Sequence, residues 1–181
     1  SLGDSGTTDE VAHIPSGYSY IEYQDYRLNP EHPPLAKALA GIFMQFAKIN
    51  DMRIDWSWDG INQWEAGWNI LYRAGNSTSQ VLFWARLPMI LLTIGLGIIL
   101  FLWSKKNWGR KISIVVLSLY AFYPDVLGHG HLVTTDIAAA FGYFITIFAF
   151  DNMIKKKSVK AIILAGIAFG IAQLLKFSSF L

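Results

Sequence analysis

The chain has 181 residues, 53% of them hydrophobic and 15% aromatic, with a formal net charge of +2 and no cysteine. That charge is too small for the electrostatic footprint of a nucleic-acid binder, and the absence of thiols excludes disulfides and thiolate metal sites. Ten of the thirteen acidic residues fall within residues 1–84, whereas the long apolar runs all follow Trp84. A polar, amphipathic half thus precedes a membrane half. Because it opens at Ser1 without Met or signal peptide and stops inside an apolar run, the chain is expected to be a fragment of a longer membrane protein.

In chain order, residues 1–8 are small and polar. Thr7-Thr8-Asp9-Glu10 marks a helix start, with Thr or Asp as the cap and acids in the first turn. Val11, Ile14, Tyr18 and Ile21 continue at helical spacing, against the opposing signals of Pro15 and Gly17. Asn29-Pro-Glu-His-Pro-Pro34 breaks the chain, and Pro34 opens a second helix running to about Ile49. Leu35, Leu39, Ile42, Phe43 and Phe46 share one face of it, with Lys37 and Lys48 elsewhere, as suits a helix on a membrane surface or on its outer edge. Trp56, Trp58 and Trp64 among Asp51, Asp55 and Asp59 fit an interfacial belt or a small core. A further helix is expected over residues 64–73, ended by Gly75-Asn76-Ser77; Asn76-Ser77-Thr78 also matches the N-glycosylation sequon.

Four apolar runs follow, at 85–103, 112–127, 132–150 and 161–181. A span needs about 20 apolar residues to cross a core of about 30 Å. Three runs meet that length, and the second needs its flanks or a tilt. The fold class expected is all-α: a polytopic helical membrane protein with four spans over 85–181, after an N-terminal extracytoplasmic segment, 1–84, of juxtamembrane helices. Four basic residues lie in the connector 104–111 and four more in 152–160, whereas the loop between the second and third runs has no Lys or Arg. The positive-inside rule then puts both basic connectors in the cytoplasm and the 124–131 loop outside, with residues 1–84.

This orientation gathers the polar residues. Asp9, Glu10, His13, Arg86, His129, His131 and Asp136 all fall at the outer face. Lys176 lies roughly 22 Å up a core of about 30 Å from the inner side. Each has a plain structural reading. Asp136 pairs with Lys176 to hold two helices, the acids of the first helix face its dipole, Arg86 snorkels, and Thr134 and Thr135 satisfy backbone groups. Glu10 and His13, at i, i+3, also have the spacing to share a divalent metal. Only the clustering on one face points to a reaction centre.

Asp9-Glu10, Asn29-Pro-Glu-His-Pro-Pro-Leu35, Phe83-Trp-Ala-Arg-Leu-Pro88 and His129-Gly-His-Leu-Val-Thr-Thr-Asp136, in this order, resemble one family. It comprises the polytopic glycosyltransferases of the protein O-mannosyltransferase and aminoarabinose-transferase type, with the GT-C fold, which use a sugar carried on polyprenyl phosphate. The resemblance implies that Asp9 is the general base for the acceptor hydroxyl, that Glu10 orients acceptor or donor, and that Asp136 is the second acidic position. It implies donor-phosphate binding by Arg86 and Lys176, with His129 and His131 nearby, and by His32, which stands where the aminoarabinose branch often has Lys. It further implies that this chain lacks the first helix and the C-terminal half. The expected partners are the lipid-linked donor, membrane lipid and a protein, lipid or glycan acceptor; no cofactor is assigned, and a divalent metal stays open. The rival readings are a transporter or flippase, and a membrane scaffold with paired charges.

Overall fold

The computed structural model describes residues 5–177. Among them every regular element is helical and no strand occurs, in keeping with the expected all-α class.

Helix α1 (Thr8–Glu22) and helix α2 (Pro34–Met44) form the N-terminal pair. Pro15 and Gly17 do not end α1. Gly17 instead sits where α1 crosses α2, its backbone against the Lys37 carbonyl, and Gly41 of α2 meets the Gly17 carbonyl in return. A Cβ at either position would overlap a backbone oxygen, so the two helix axes can approach this closely only because both residues are glycine. The buried face of α2 is Ala36, Lys37, Ala40, Gly41 and Met44, while Ile42 and Phe46 of the predicted apolar face are exposed. The sequence expectation is corrected here in two respects. Lys37 belongs to the packed face, because the small residues beside it admit the neighbouring helix. The helix also stops at Met44 rather than near Ile49.

Short helices α3 (Trp56–Asp59) and α4 (Gln63–Trp68) follow, the latter running into a wider π-turn at Asn69–Arg73. Gly75, at φ 73°, ends this segment, and the side chain of Asn76 is tied down, donating to the Ile70 carbonyl at 2.8 Å. Trp58 is buried, whereas Trp56 and Trp64 are exposed.

Helix α5 (Thr78–Ala121) is broken at Gly109, whose φ of 82° and ψ of 174° are not helical. The chain reverses there. Tyr120 Oη of the second arm donates to the Thr93 carbonyl of the first at 2.8 Å, and Tyr120 and Leu117 pack on Gly97. The second arm, 110–121, rises only about 18 Å. The run expected over 112–127 is therefore not one helix: Pro124 forces Tyr123 into an extended conformation and opens the short α6 (Pro124–His129).

Helix α7 (Asp136–Lys156) and helix α8 (Val159–Leu175) make a tight antiparallel hairpin, turned at Lys157 and capped by Ser158, whose hydroxyl accepts from the Ala161 N–H. The expected end of the fourth span, 178–181, lies outside the described residues. Helices α5 and α7 are long and apolar enough to cross a membrane, and α8 is apolar over 17 residues. Their outward residues, among them Ile98, Leu102, Ile147 and Ile162, are exposed apolar side chains suited to lipid. The antiparallel arrangement sends the starts of α5 and α7 and the close of α8 to one end, and both lysine-rich turns to the other.

Candidate active site

The site is built around Glu10. Thr7 caps α1, and the Glu10 carboxylate, three residues on, reaches back to accept from the Thr7 N–H at 3.0 Å and its hydroxyl at 3.2 Å. Arg86 projects from the buried stripe of α5 that also carries Leu82, Ala85 and Met89. Its Nε donates to Glu10 Oε1 at 2.8 Å and its Nη2 to Oε2 at 2.7 Å, a two-pronged pair in which both side chains are essentially sealed. Arg86 Nη2 also donates to the Ser5 carbonyl at 3.0 Å. Burial pushes the Glu10 carboxyl up. The Arg86 guanidinium and the N–H groups of Thr7 and Val133 outweigh it and hold the group below the usual carboxylate range.

The connector before α7 is drawn into the same clasp. The Val133 N–H donates to Glu10 Oε1 at 3.1 Å, and the Val133 carbonyl accepts from His13 Nδ1 at 2.9 Å. A carbonyl only accepts, so the proton of His13 sits on Nδ1. The i, i+3 pair Glu10 and His13 therefore grips both polar groups of one residue, Val133. Among the described residues no group of three or more His, Asp or Glu is placed to hold a metal. Burial pulls the His13 imidazole below its ordinary value, the Val133 carbonyl opposes this, and His32 and Lys37 add to the lowering.

His32 is exposed and meets His13 edge-on, ring centres 5.3 Å apart. Behind it lies Lys37, a site residue that its sequence position alone does not mark out. Its ammonium donates to the Asn29 carbonyl and side-chain oxygen at 2.6 and 2.7 Å and to the His32 carbonyl at 2.9 Å. It fixes the Asn29–His32 turn. Burial pushes Lys37 down to about 8, which leaves it a cation at neutral pH. The one available signal was its being the sole charge in 33–47.

Asp136 starts α7 three residues beyond Val133 and pairs with Lys176 across the hairpin at 3.0 Å, Asp136 exposed and Lys176 half-buried. Asp9 is exposed on the first turn of α1. His129 is exposed at the end of α6, and His131 lines an apolar cavity of about 520 Å³ between the arms of α5 and α6. Direct contacts thus join Glu10 to Arg86, His13 to His32, and Asp136 to Lys176; Asp9 and His129 stand apart at the surface.

Apolar helices of spanning length mark an integral membrane protein, and Glu10, Arg86, Asp136 and Lys176 lie toward one end of them. The family model for dolichyl-phosphate-mannose-protein mannosyltransferase matches residues 74–181, and the chain belongs to that family. It is a glycosyltransferase of the mannosyltransferase type. The match includes Arg86, His129, His131, Asp136 and Lys176 and begins after Asp9, Glu10 and His32. No curated protein and no solved structure matches the chain.

Proposed function

We propose that the protein moves a sugar from a polyprenyl-phosphate-linked donor to an acceptor hydroxyl at the extracytoplasmic membrane face, with Asp9 as the general base. The observation that carries this reading is the division of labour between two adjacent carboxylates on α1. Glu10 is sealed against Arg86 and Val133, fixing α1 to the start of α5 and to the connector before Asp136. Asp9, one residue away, is left open to solvent. A carboxylate meant to receive a proton must be reachable, and its neighbour must hold it still.

In the reaction Asp9 accepts the proton of the acceptor hydroxyl as the oxygen attacks the anomeric carbon. The bond from that carbon to the phosphate oxygen breaks, and the electron pair leaves with polyprenyl phosphate, inverting the configuration. Positive charge must meet the leaving group. Lys176, held by Asp136 yet partly exposed, is the cation suited to direct contact. In this reading His32, His129 and His131 add donors to the phosphate, and the apolar cavity beside His131 takes the lipid tail. Arg86, expected at the phosphate, is neutralised by Glu10 and in this reading serves the reaction by positioning α1. The lysine-rich turns at the opposite end of the spans support an extracytoplasmic site.

The test is sugar release from a polyprenyl-phosphate donor by the full-length protein. Asp9→Asn should lower turnover by about 10²- to 10⁴-fold while thermal stability changes little, since the side chain is exposed. Full activity in that variant removes Asp9 from the mechanism.

A further inference from the structure

We propose that a cleft at the lysine-bearing end of α5, α7 and α8 binds the headgroup of an anionic phospholipid. The cleft holds about 550 Å³. Its polar wall is Lys106 from α5, Asn152 and Lys156 from α7, and Ser158 and Lys160 from the turn into α8. Among the described residues three cations line it and no carboxylate does. The acid nearest in sequence, Asp151, is taken by Lys155 at 2.6 Å. Lys106, Lys156 and Lys160 are exposed and, among the described residues, enter no ion pair.

Beneath the lysines the surface turns apolar. Lys106, Ile145 and Phe148 are shared with a second trough of about 340 Å³, which continues along Ile99, Leu102 and Trp103 between α5 and α7. A basic cup over an apolar channel at the end of spanning helices matches a phosphodiester headgroup with an acyl chain below it. A free phosphate would use only the cup, and the continuity of the two spaces favours the lipid. The positive-inside rule accounts for lysines in both turns. It does not account for three of them ringing one acid-free cleft while Lys105, Lys111 and Lys157 lie outside it. The proposal rests on α5 and α7 spanning the membrane and is independent of the transferase mechanism.

Native mass spectrometry of the full-length protein, released from phosphatidylcholine nanodiscs doped with phosphatidylglycerol, tests it. Wild type should retain phosphatidylglycerol at least about tenfold over phosphatidylcholine. The triple variant Lys106→Gln/Lys156→Gln/Lys160→Gln should lose that preference, and the equally charged control Lys105→Gln/Lys111→Gln/Lys157→Gln should keep it. Equal retention of the two lipids by wild type, or equal loss in the two variants, overturns the proposal. So does complete displacement of the lipid by millimolar inorganic phosphate. Should the cleft variant fail to fold, the wild-type preference and the phosphate competition still decide the matter.

Discussion

Replacing Glu10 by Gln probes the clasp with a change of one atom. Oε1 receives Arg86 Nε and the Val133 N–H; Oε2 receives Arg86 Nη2 and both donors of Thr7. Whichever oxygen becomes NH₂, at least two donors lose their acceptor, and one of them is a guanidinium nitrogen. The Arg86 charge is then buried without a counter-charge, for which the cost is about 3–5 kcal/mol. That is a large fraction of the roughly 5–15 kcal/mol that holds a typical domain together. Equilibrium unfolding of wild type and variant in mixed micelles measures it. The wild type should also lose stability in acid: its folded-state pKa is depressed, so the contribution is complete above the ordinary value of 4.5 and drains away as pH falls through the lower folded value. Glu10→Gln should lack this acid limb. A loss below about 1 kcal/mol, or an unchanged acid limb, would refute the view that this pair locks α1 to α5.

Other expectations follow from the same geometry. His13 is held neutral, with its pKa below the ordinary 6.5, so the unfolded chain takes up a proton first and stability falls as pH drops below about 6.5. His13→Asn places an amide N–H near the position of Nδ1, keeps the bond to the Val133 carbonyl and removes the titration; melting temperature against pH should flatten in that window, and an unaltered profile assigns the effect to another group. Gly41→Ala drives a Cβ into the Gly17 carbonyl. Separating α1 from α2 should cost about 3 kcal/mol or more, read as loss of folded protein by size-exclusion chromatography, and a normally folded variant would contradict the close crossing.

The α1 start, the Pro34 boundary, the apolar runs and the opposed basic turns are local features, and each was legible in the sequence. Capping chemistry, hydrophobic run length and proline position act over a few residues. Other features were not. Gly17 lowers helix propensity on its own, yet it is required once Gly41 stands opposite it. Lys37 looked like a solvated charge on an amphipathic helix until the Asn29–His32 turn supplied three oxygens. The reversal at Gly109 left the second arm shorter than the hydropathy of 112–127 suggested, because Pro124 limits it.

The candidate site divides in the same manner. Residue types and order alone marked out Asp9, Glu10, Arg86 and Asp136 and set them at one end of the spanning helices, because hydropathy and charge order both run linearly along the chain. Only tertiary structure separated the surroundings of the neighbouring acids, Asp9 exposed and Glu10 sealed. Burying Glu10 is tolerable solely where Arg86, 76 residues away, supplies the opposite charge, and no local pattern encodes that meeting. The Val133 peptide, with no side-chain chemistry to announce it, joined the site because two residues of α1 needed a donor and an acceptor at the same place.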